Sequence, residues 1–194
     1  MSLSEENLKK VGAVKVGLAG LGGLGSNCAF NLVRVGFKKL TLVDFDRVEP
    51  SNLGRQFYFL DQVGRDKTEA LAENLRRINP DIDIKAFKVK AGKDNVKDLF
   101  KDCDIVAECF DKAESKSMLV SELLGTGKFI VSASGLGGFG SSDDIKIHRM
   151  KKNLVVIGDL QSDISLRPPL SPRVNIAAAK QADVILEYAL NTPA

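Results

Sequence analysis

The sequence predicts a doubly wound α/β domain, a mainly parallel sheet with helices on both faces and an antiparallel hairpin added near the C-terminus. Apolar runs of strand length alternate with helical patterns, which implies right-handed crossovers and a parallel sheet. A glycine-rich run stands between the first of these strands and the helix after it. Two late apolar runs lie too close together for a crossover, so they read as a hairpin.

The elements follow in order. Val14–Leu18 is the first strand, and Leu24–Val35 carries apolar residues at helical spacing before stopping at Gly36, a helix cap. Leu40–Val43 is the second strand and runs into Asp44. Asp66–Ile78 is helical and is stopped by Asn79-Pro80. Ile82–Val89 alternates as a third strand, Lys93–Lys101 is a short helix, Ile105–Ala107 is a buried strand, and Lys112–Leu124 is the next helix. Phe129–Ser132 is the fifth strand. Ile145–Arg149 and Leu154–Ile157 make the hairpin about Met150–Asn153. Residues 158–172 form a polar connection long enough to suggest function or mobility, and Val174–Leu190 is an Ala-rich closing helix. Residues 1–194 read as a single domain.

Composition narrows the function classes. Hydrophobic residues at 44% and charged residues at 27% suit a globular domain rather than a disordered chain. A net charge of +3 is too small to argue for a nucleic-acid surface, and with no Trp and two Tyr there is no aromatic platform for single strands. No apolar run reaches membrane-spanning length, and the acidic, polar Met1–Asn7 is not a secretory signal. Cys28, Cys103 and Cys109 show neither metal spacing nor a disulfide pattern, which suits a reducing cytoplasm.

Three motifs carry chemistry. Gly20-Leu21-Gly22-Gly23-Leu24-Gly25 leaves a strand and opens a helix. Such glycines let backbone approach phosphate, and the helix N-terminus offers free N–H groups to an anion. Asp44, at the end of the second strand, is placed to accept from a ribose hydroxyl pair. Next, Asp46, Asn52, Arg55, Gln56 and, eleven residues further, Lys67 form a polar set denser than a dinucleotide needs. Arg and Lys neutralise a triphosphate, while Asn and Gln orient its oxygens. Third, Glu108-Cys109-Phe110-Asp111 ends the fourth strand, where ligands of open parallel sheets bind. Asp111 can bind Mg²⁺ there with phosphate oxygens, or cap the next helix in a capping box with Glu114.

Read together, Gly-Leu-Gly-Gly-Leu-Gly-Ser-Asn, Asp-Phe-Asp, Ser-Asn-Leu-Gly-Arg-Gln, Asp-Lys and Phe-Asp, in that order, resemble the ThiF/MoeB family, the bacterial relatives of ubiquitin-activating enzymes. The resemblance runs from about Val11 to Leu190 and comes nearest to the short ThiF-like proteins of thiamine biosynthesis. It implies a Rossmann-like fold and an ATP-dependent adenylyltransferase. This enzyme would activate the C-terminal Gly-Gly carboxylate of a ubiquitin-like sulfur carrier as an acyl-adenylate, releasing pyrophosphate. By the family match, Gly20, Gly22 and Gly23 line the phosphates, and Asp44 holds the ribose. Asn52, Arg55 and Gln56 approach the α-phosphate, Lys67 stabilises departing charge, and Asp111 binds Mg²⁺. Asp46 joins the nucleotide set in a less defined role. A homodimer is implied, with the apolar closing helix as one interface.

The chain also departs from the family pattern. Position 54 is Gly where the family has Asn. There are no Cys-x-x-Cys pairs, so no structural zinc is expected. Residues 158–172 hold no cysteine for a covalent sulfur or thioester step. Residues 1–13 hold no arginine to reach a partner's site, which leaves Arg34 and Arg149 as substitutes. A second run, Gly135-Leu136-Gly137-Gly138-Phe139-Gly140, reads as a slot for a side-chain-poor carrier tail or as a loop, the resemblance favouring the tail. Alternatives are a nicotinamide-dependent oxidoreductase, which would leave Asn52, Arg55, Gln56 and Lys67 without work, and a catalytically inactive carrier-binding module. A relative that adenylates a transfer RNA base is disfavoured by the modest charge, and neither membrane nor nucleic acid is expected as a partner.

Overall fold

A computed structural model describes residues 3–191. The described elements, in chain order, are α1 (Glu5–Ala13), β1 (Lys15–Ala19), α2 (Gly23–Arg34), β2 (Lys39–Asp44), α3 (Lys67–Arg76), β3 (Asp83–Lys88), α4 (Val96–Leu99), β4 (Ile105–Glu108), α5 (Ala113–Leu123), β5 (Phe129–Ala133), β6 (Lys146–Lys151), β7 (Leu154–Gly158) and α6 (Ser171–Asn191). Short 3-10 turns at Pro50–Asn52 and Leu60–Gln62 fold the polar connection between β2 and α3.

The strands form one sheet in the order β3-β2-β1-β4-β5-β7-β6, parallel except for the β6–β7 pair. The hairpin therefore extends the sheet, with β7 parallel to β5 and β6 at the edge. Strands β1, β2, β4 and β5 are almost wholly buried, because helices cover both faces. One face packs Leu24, Leu32, Leu71, Leu75 and Ile185 of α2, α3 and α6, and the other packs Val96, Leu119 and Leu123 of α4 and α5. The edge strands β3 and β6 are exposed and carry Lys85, Lys88, Lys146, Arg149 and Lys151, charges that discourage edge-to-edge pairing.

Strand order reverses between β1 and β4, so the β1–α2 and β4–α5 turns sit side by side at the carboxyl edge. Among the described residues no helix is long and apolar enough to cross a membrane.

Three readings of the sequence are adjusted, and one helix is added. The start of the chain is helical: Ser4 caps α1 by accepting from the Asn7 N–H at 3.2 Å, with Glu5 and Glu6 in the first turn. The expected helix over 93–101 shrinks to Val96–Leu99. Asp111 does not cap α5; Lys112 takes that position without a side-chain bond, and no capping box with Glu114 forms. Much of the closing helix's apolar face serves the chain's own core: Val174, Ala177, Ala178, Ala182, Val184, Ile185 and Ala189 are buried, while Ile176, Leu186, Tyr188 and Leu190 are half-buried against the same core.

Candidate active site

Gly20 leaves β1 with φ +91°, a conformation that suits glycine, and its N–H donates to Val43 O at 2.9 Å. A side chain there would press on the Cys109 carbonyl and the Phe110 ring, so the two turns at the strand-order reversal are in direct contact. Gly25 faces the Gly20 carbonyl so closely that even a methyl group has no room. These contacts draw the first turn of α2 tightly against the strand ends. Gly22 takes the helix-cap position and no side chain caps α2, which leaves a bare helix N-terminus suited to an anion.

The polar segment after β2 folds onto that N-terminus. Ser26 donates to Gly22 O at 2.7 Å and accepts from the Phe57 N–H at 3.0 Å. Asn27 donates to Gly23 O at 2.7 Å and to Arg55 O at 2.9 Å. The Arg55 stem therefore lies 3.6 Å from where a Gly23 side chain would begin, and the Gln56 amide 3.7 Å from the same point at Gly22. Arg55 donates through Nη1 to Ser51 O at 3.0 Å. Gln56 is only 8% exposed, and its Oε1 is buried with no hydrogen-bond partner among the described residues. Leaving a buried amide atom unpaired costs about 1–3 kcal/mol, so this atom lacks a bond that a ligand can supply.

Asp44 is buried with both oxygens engaged: Oδ2 accepts from the Leu21 N–H at 2.6 Å and Oδ1 from the Asp46 N–H at 2.8 Å. In this structure its visible work is to tie the glycine turn to the end of β2. Lys67, buried at the start of α3, pairs with Asp46 at 3.2 Å. Tyr58 donates to Leu21 O at 2.8 Å; burial, then Asp44 and Asp46, push its phenol well above the usual range, so it stays a neutral donor. Asn52 is buried and closes its own turn, accepting from the Glu49 N–H at 3.1 Å. Asp111 lies exposed just beyond Phe110 and makes no hydrogen bond or ion pair among the described residues.

The fold thus brings Gly20, Gly22, Gly23, Asp44, Asp46, Arg55, Gln56 and Lys67 to one edge, with Asn52 in the same loop and Asp111 beside it. Ser26, Asn27 and Tyr58 were missed as site builders. Ser-Asn directly after the glycines was the available signal for two of them. The cysteines are not nucleophiles here: burial pushes Cys28 up to about 12, Cys109 well above the usual thiol range, and Cys103 upward. His148 bonds Gly158 O at 2.9 Å within the hairpin, as a strand residue.

The second glycine run is covered. Asp159 Oδ1 and the Leu160 N–H crowd Gly135, and the carbonyls of Asp163 and Arg167 stand 2.7 and 2.8 Å from the first atom of any Gly137 side chain. Gly138 donates to Pro168 O at 3.1 Å. Arg173, buried on α6, fixes the arrangement by bonding Asp159 at 2.6 Å and Gly140 O at 2.6 Å. The expected tail slot is filled by the chain's own residues 159–169. Arg34 stacks over Phe30 at 5.1 Å, and Arg149 pairs with Glu187 at 2.6 Å. Glu187 lies about 20 Å along α6 from Val174, which touches Gly23. A cavity of about 280 Å³ lined by Phe129, Arg149 and Glu187 sits at that far end, away from the glycine turn.

The ThiF family model matches residues 1–155. The chain belongs to the ThiF family. It is 38% identical over 124 residues to the adenylyltransferase and sulfurtransferase UBA4 of Candida glabrata, covering 63% of this chain and 29% of that one. It is 35% identical over 128 residues to the mouse adenylyltransferase and sulfurtransferase MOCS3, covering 66% and 28%. The chain thus matches less than a third of the length of these relatives. Among solved structures, the Escherichia coli tRNA N6-threonylcarbamoyladenosine dehydratase TcdA with AMP superposes with a TM-score of 0.87 at 20% identity, covering 96% of this chain and 89% of that one. E. coli MccB with AMPCPP and MccA gives 0.74 at 22%, covering 95% and 58%. At such identities these ThiF-type neighbours speak to the Rossmann-like fold alone.

Proposed function

We propose that this ThiF-family chain is an ATP-dependent adenylyltransferase. It activates the C-terminal Gly-Gly carboxylate of a ubiquitin-like sulfur carrier, in the thiazole branch of thiamine biosynthesis. The observation that carries the reading is the bare N-terminus of α2 beside Gln56, whose buried oxygen has no partner among the described residues, with Arg55 against the same turn. A nicotinamide cofactor needs the turn but not Arg55, Gln56 and Lys67.

In the reaction a carboxylate oxygen of the carrier forms a bond to the α-phosphorus. The bond from that phosphorus to its bridging oxygen breaks, and pyrophosphate leaves with the electron pair. The carboxylate is already ionised at neutral pH, so positioning and charge neutralisation do the catalysis. Gly20, Gly22 and Gly23 hold phosphates against the α2 N-terminus, and Asp44 accepts from the ribose with its remaining lone pairs. Asn52, Arg55 and Gln56 fix the α-phosphate. Lys67 turns from Asp46 towards the charge on the leaving group. Magnesium would be held by Asp111 together with phosphate oxygens and water, and when bound it neutralises phosphate charge. The residues fit that mode rather than a protein cage: Asp111 is exposed, and no group of three or more His, Cys, Asp or Glu that could hold a metal exists among the described residues.

The names of UBA4 and MOCS3 support an adenylation coupled to sulfur chemistry. A homodimer in the cytoplasm completes the reading. The test is exchange of labelled pyrophosphate into ATP, run with sulfur carriers ending in Gly-Gly and, separately, with transfer RNA. Carrier-dependent exchange is expected. Exchange with none of the carriers sinks the proposal, and exchange with transfer RNA alone replaces the substrate class.

A further inference from the structure

Glu108, the last residue of β4, is fully buried and takes no part in the reading above. Its carboxylate accepts four hydrogen bonds from three donors. The Ser132 hydroxyl of β5 donates at 2.5 Å, and the Phe110 N–H donates to Oε1 at 2.7 Å. Lys116, one turn into α5, reaches both oxygens at 3.3 and 3.1 Å. The backbone beside it is pinned too: Gln181, buried on α6, donates to Glu108 O and Val131 O, each at 3.2 Å.

A buried ion pair is by itself a poor stabiliser relative to apolar packing. What this one adds is geometry, because three elements and one turn meet on a single carboxylate at the strand-order reversal. Phe110 and Cys109, the residues so fixed, form the wall against Gly20: the Cys109 carbonyl lies 3.0 Å and the Phe110 ring 3.2 Å from where a Gly20 side chain would begin. The Cys109 N–H also donates to Ala19 O at 2.8 Å, immediately before the glycine turn.

We propose that Glu108 is a positioning residue of the nucleotide site: by holding the Cys109-Phe110 turn it sets the wall against which the Gly20–Gly22 backbone is shaped for phosphate. This deepens the adenylyltransferase reading and rests on it for the ligand, but not for the mechanical link. Glu108 does not touch the nucleotide. It acts through the Phe110 amide and the Gly20 contact.

The experiment compares the full chain with Glu108→Gln, Ser132→Ala and a control, Leu119→Ala. Leu119 is fully buried in α5 on the same face of the sheet and outside the network. Hydrogen exchange of the ligand-free proteins is read at residues 20–25 and 109–112, beside ATP affinity by calorimetry and thermal stability. Glu108→Gln is expected to speed exchange at least tenfold in both segments and to raise the Kd for ATP about tenfold, with Ser132→Ala giving about a third of each effect. Leu119→Ala, at an equal or greater loss of thermal stability, should leave exchange at 20–25 and the Kd within twofold. Faster exchange confined to 109–112, or an equal loss of affinity in the control, overturns the proposal. If the wild-type chain binds no ATP, the adenylyltransferase reading fails, while the exchange data still decide the link from Glu108 to the glycine turn.

Discussion

Both glycine runs follow a parallel strand, at Gly20–Gly25 after β1 and at Gly135–Gly140 after β5, yet they end up in opposite states. The first opens an uncapped helix beside Gln56, whose buried Oε1 has no hydrogen-bond partner among the described residues. The second leads to no α-helix, only to a 3-10 turn at Ser142–Asp144, and its bare backbone is met by residues 159–169, held down by Arg173 and Asp159. Glycine content is therefore not what marks a ligand site. What matters is whether the space the missing side chains leave is filled by the chain itself.

That contrast can be broken by substitution, starting with the largest effect. Gly25→Ala forces a methyl group onto the Gly20 carbonyl; it should cost about 3 kcal/mol in urea unfolding and abolish ATP binding. Wild-type binding in this variant would show that the first turn is not the phosphate site. Lys67→Met removes the buried ammonium and should lower carrier-dependent pyrophosphate exchange about 100-fold, a typical loss for one charge-stabilising group. A rate near wild type leaves Lys67 as no more than a partner of Asp46.

Gln56→Ala is smaller and more discriminating. It deletes a buried oxygen that has no bond among the described residues, so stability should hardly change, whereas ATP should bind about tenfold more weakly. A loss of stability with unchanged affinity would contradict the account. Gly137→Ala should leave ATP affinity alone and lift residues 159–169, read as faster proteolysis there. Acid sharpens this last point. Burial alone would raise Asp159, but amides of Ser162 and Gln161, the Ser162 hydroxyl and Arg173 hold it below the ordinary carboxylate value. A depressed carboxylate contributes stability above its unfolded pKa and loses it as pH falls through the folded value. Proteolysis of the segment should therefore stay slow from neutral pH down to the ordinary carboxylate range and rise only below it.

The order of strands and helices was legible because apolar periodicity is a local signal, and the tight hairpin at 145–157 left antiparallel pairing as the geometric choice. The site was legible where a residue type has few uses, as with glycines between strand and helix. It was not legible where function depends on what lies opposite. Nothing in Gly135–Gly140 tells that Asp163 and Arg167 will close over it. Asp111 looks like a helix cap in sequence, but α5 starts one turn-residue later and leaves it free. Glu108 closes an apolar run and gains meaning only through Ser132 on the next strand and Lys116 on the following helix, neither of them a neighbour in sequence. The opening helix was hidden because Ser4-Glu5-Glu6 reads as polar linker unless its cap is recognised.

The most direct measurement is a backbone amide map of the full chain titrated with ATP. Saturable shifts should appear at residues 20–27, 52–57 and 67, with residues 135–140 silent. Shifts centred on the second glycine run, or a first run that answers to NADH and ignores ATP, would contradict the account.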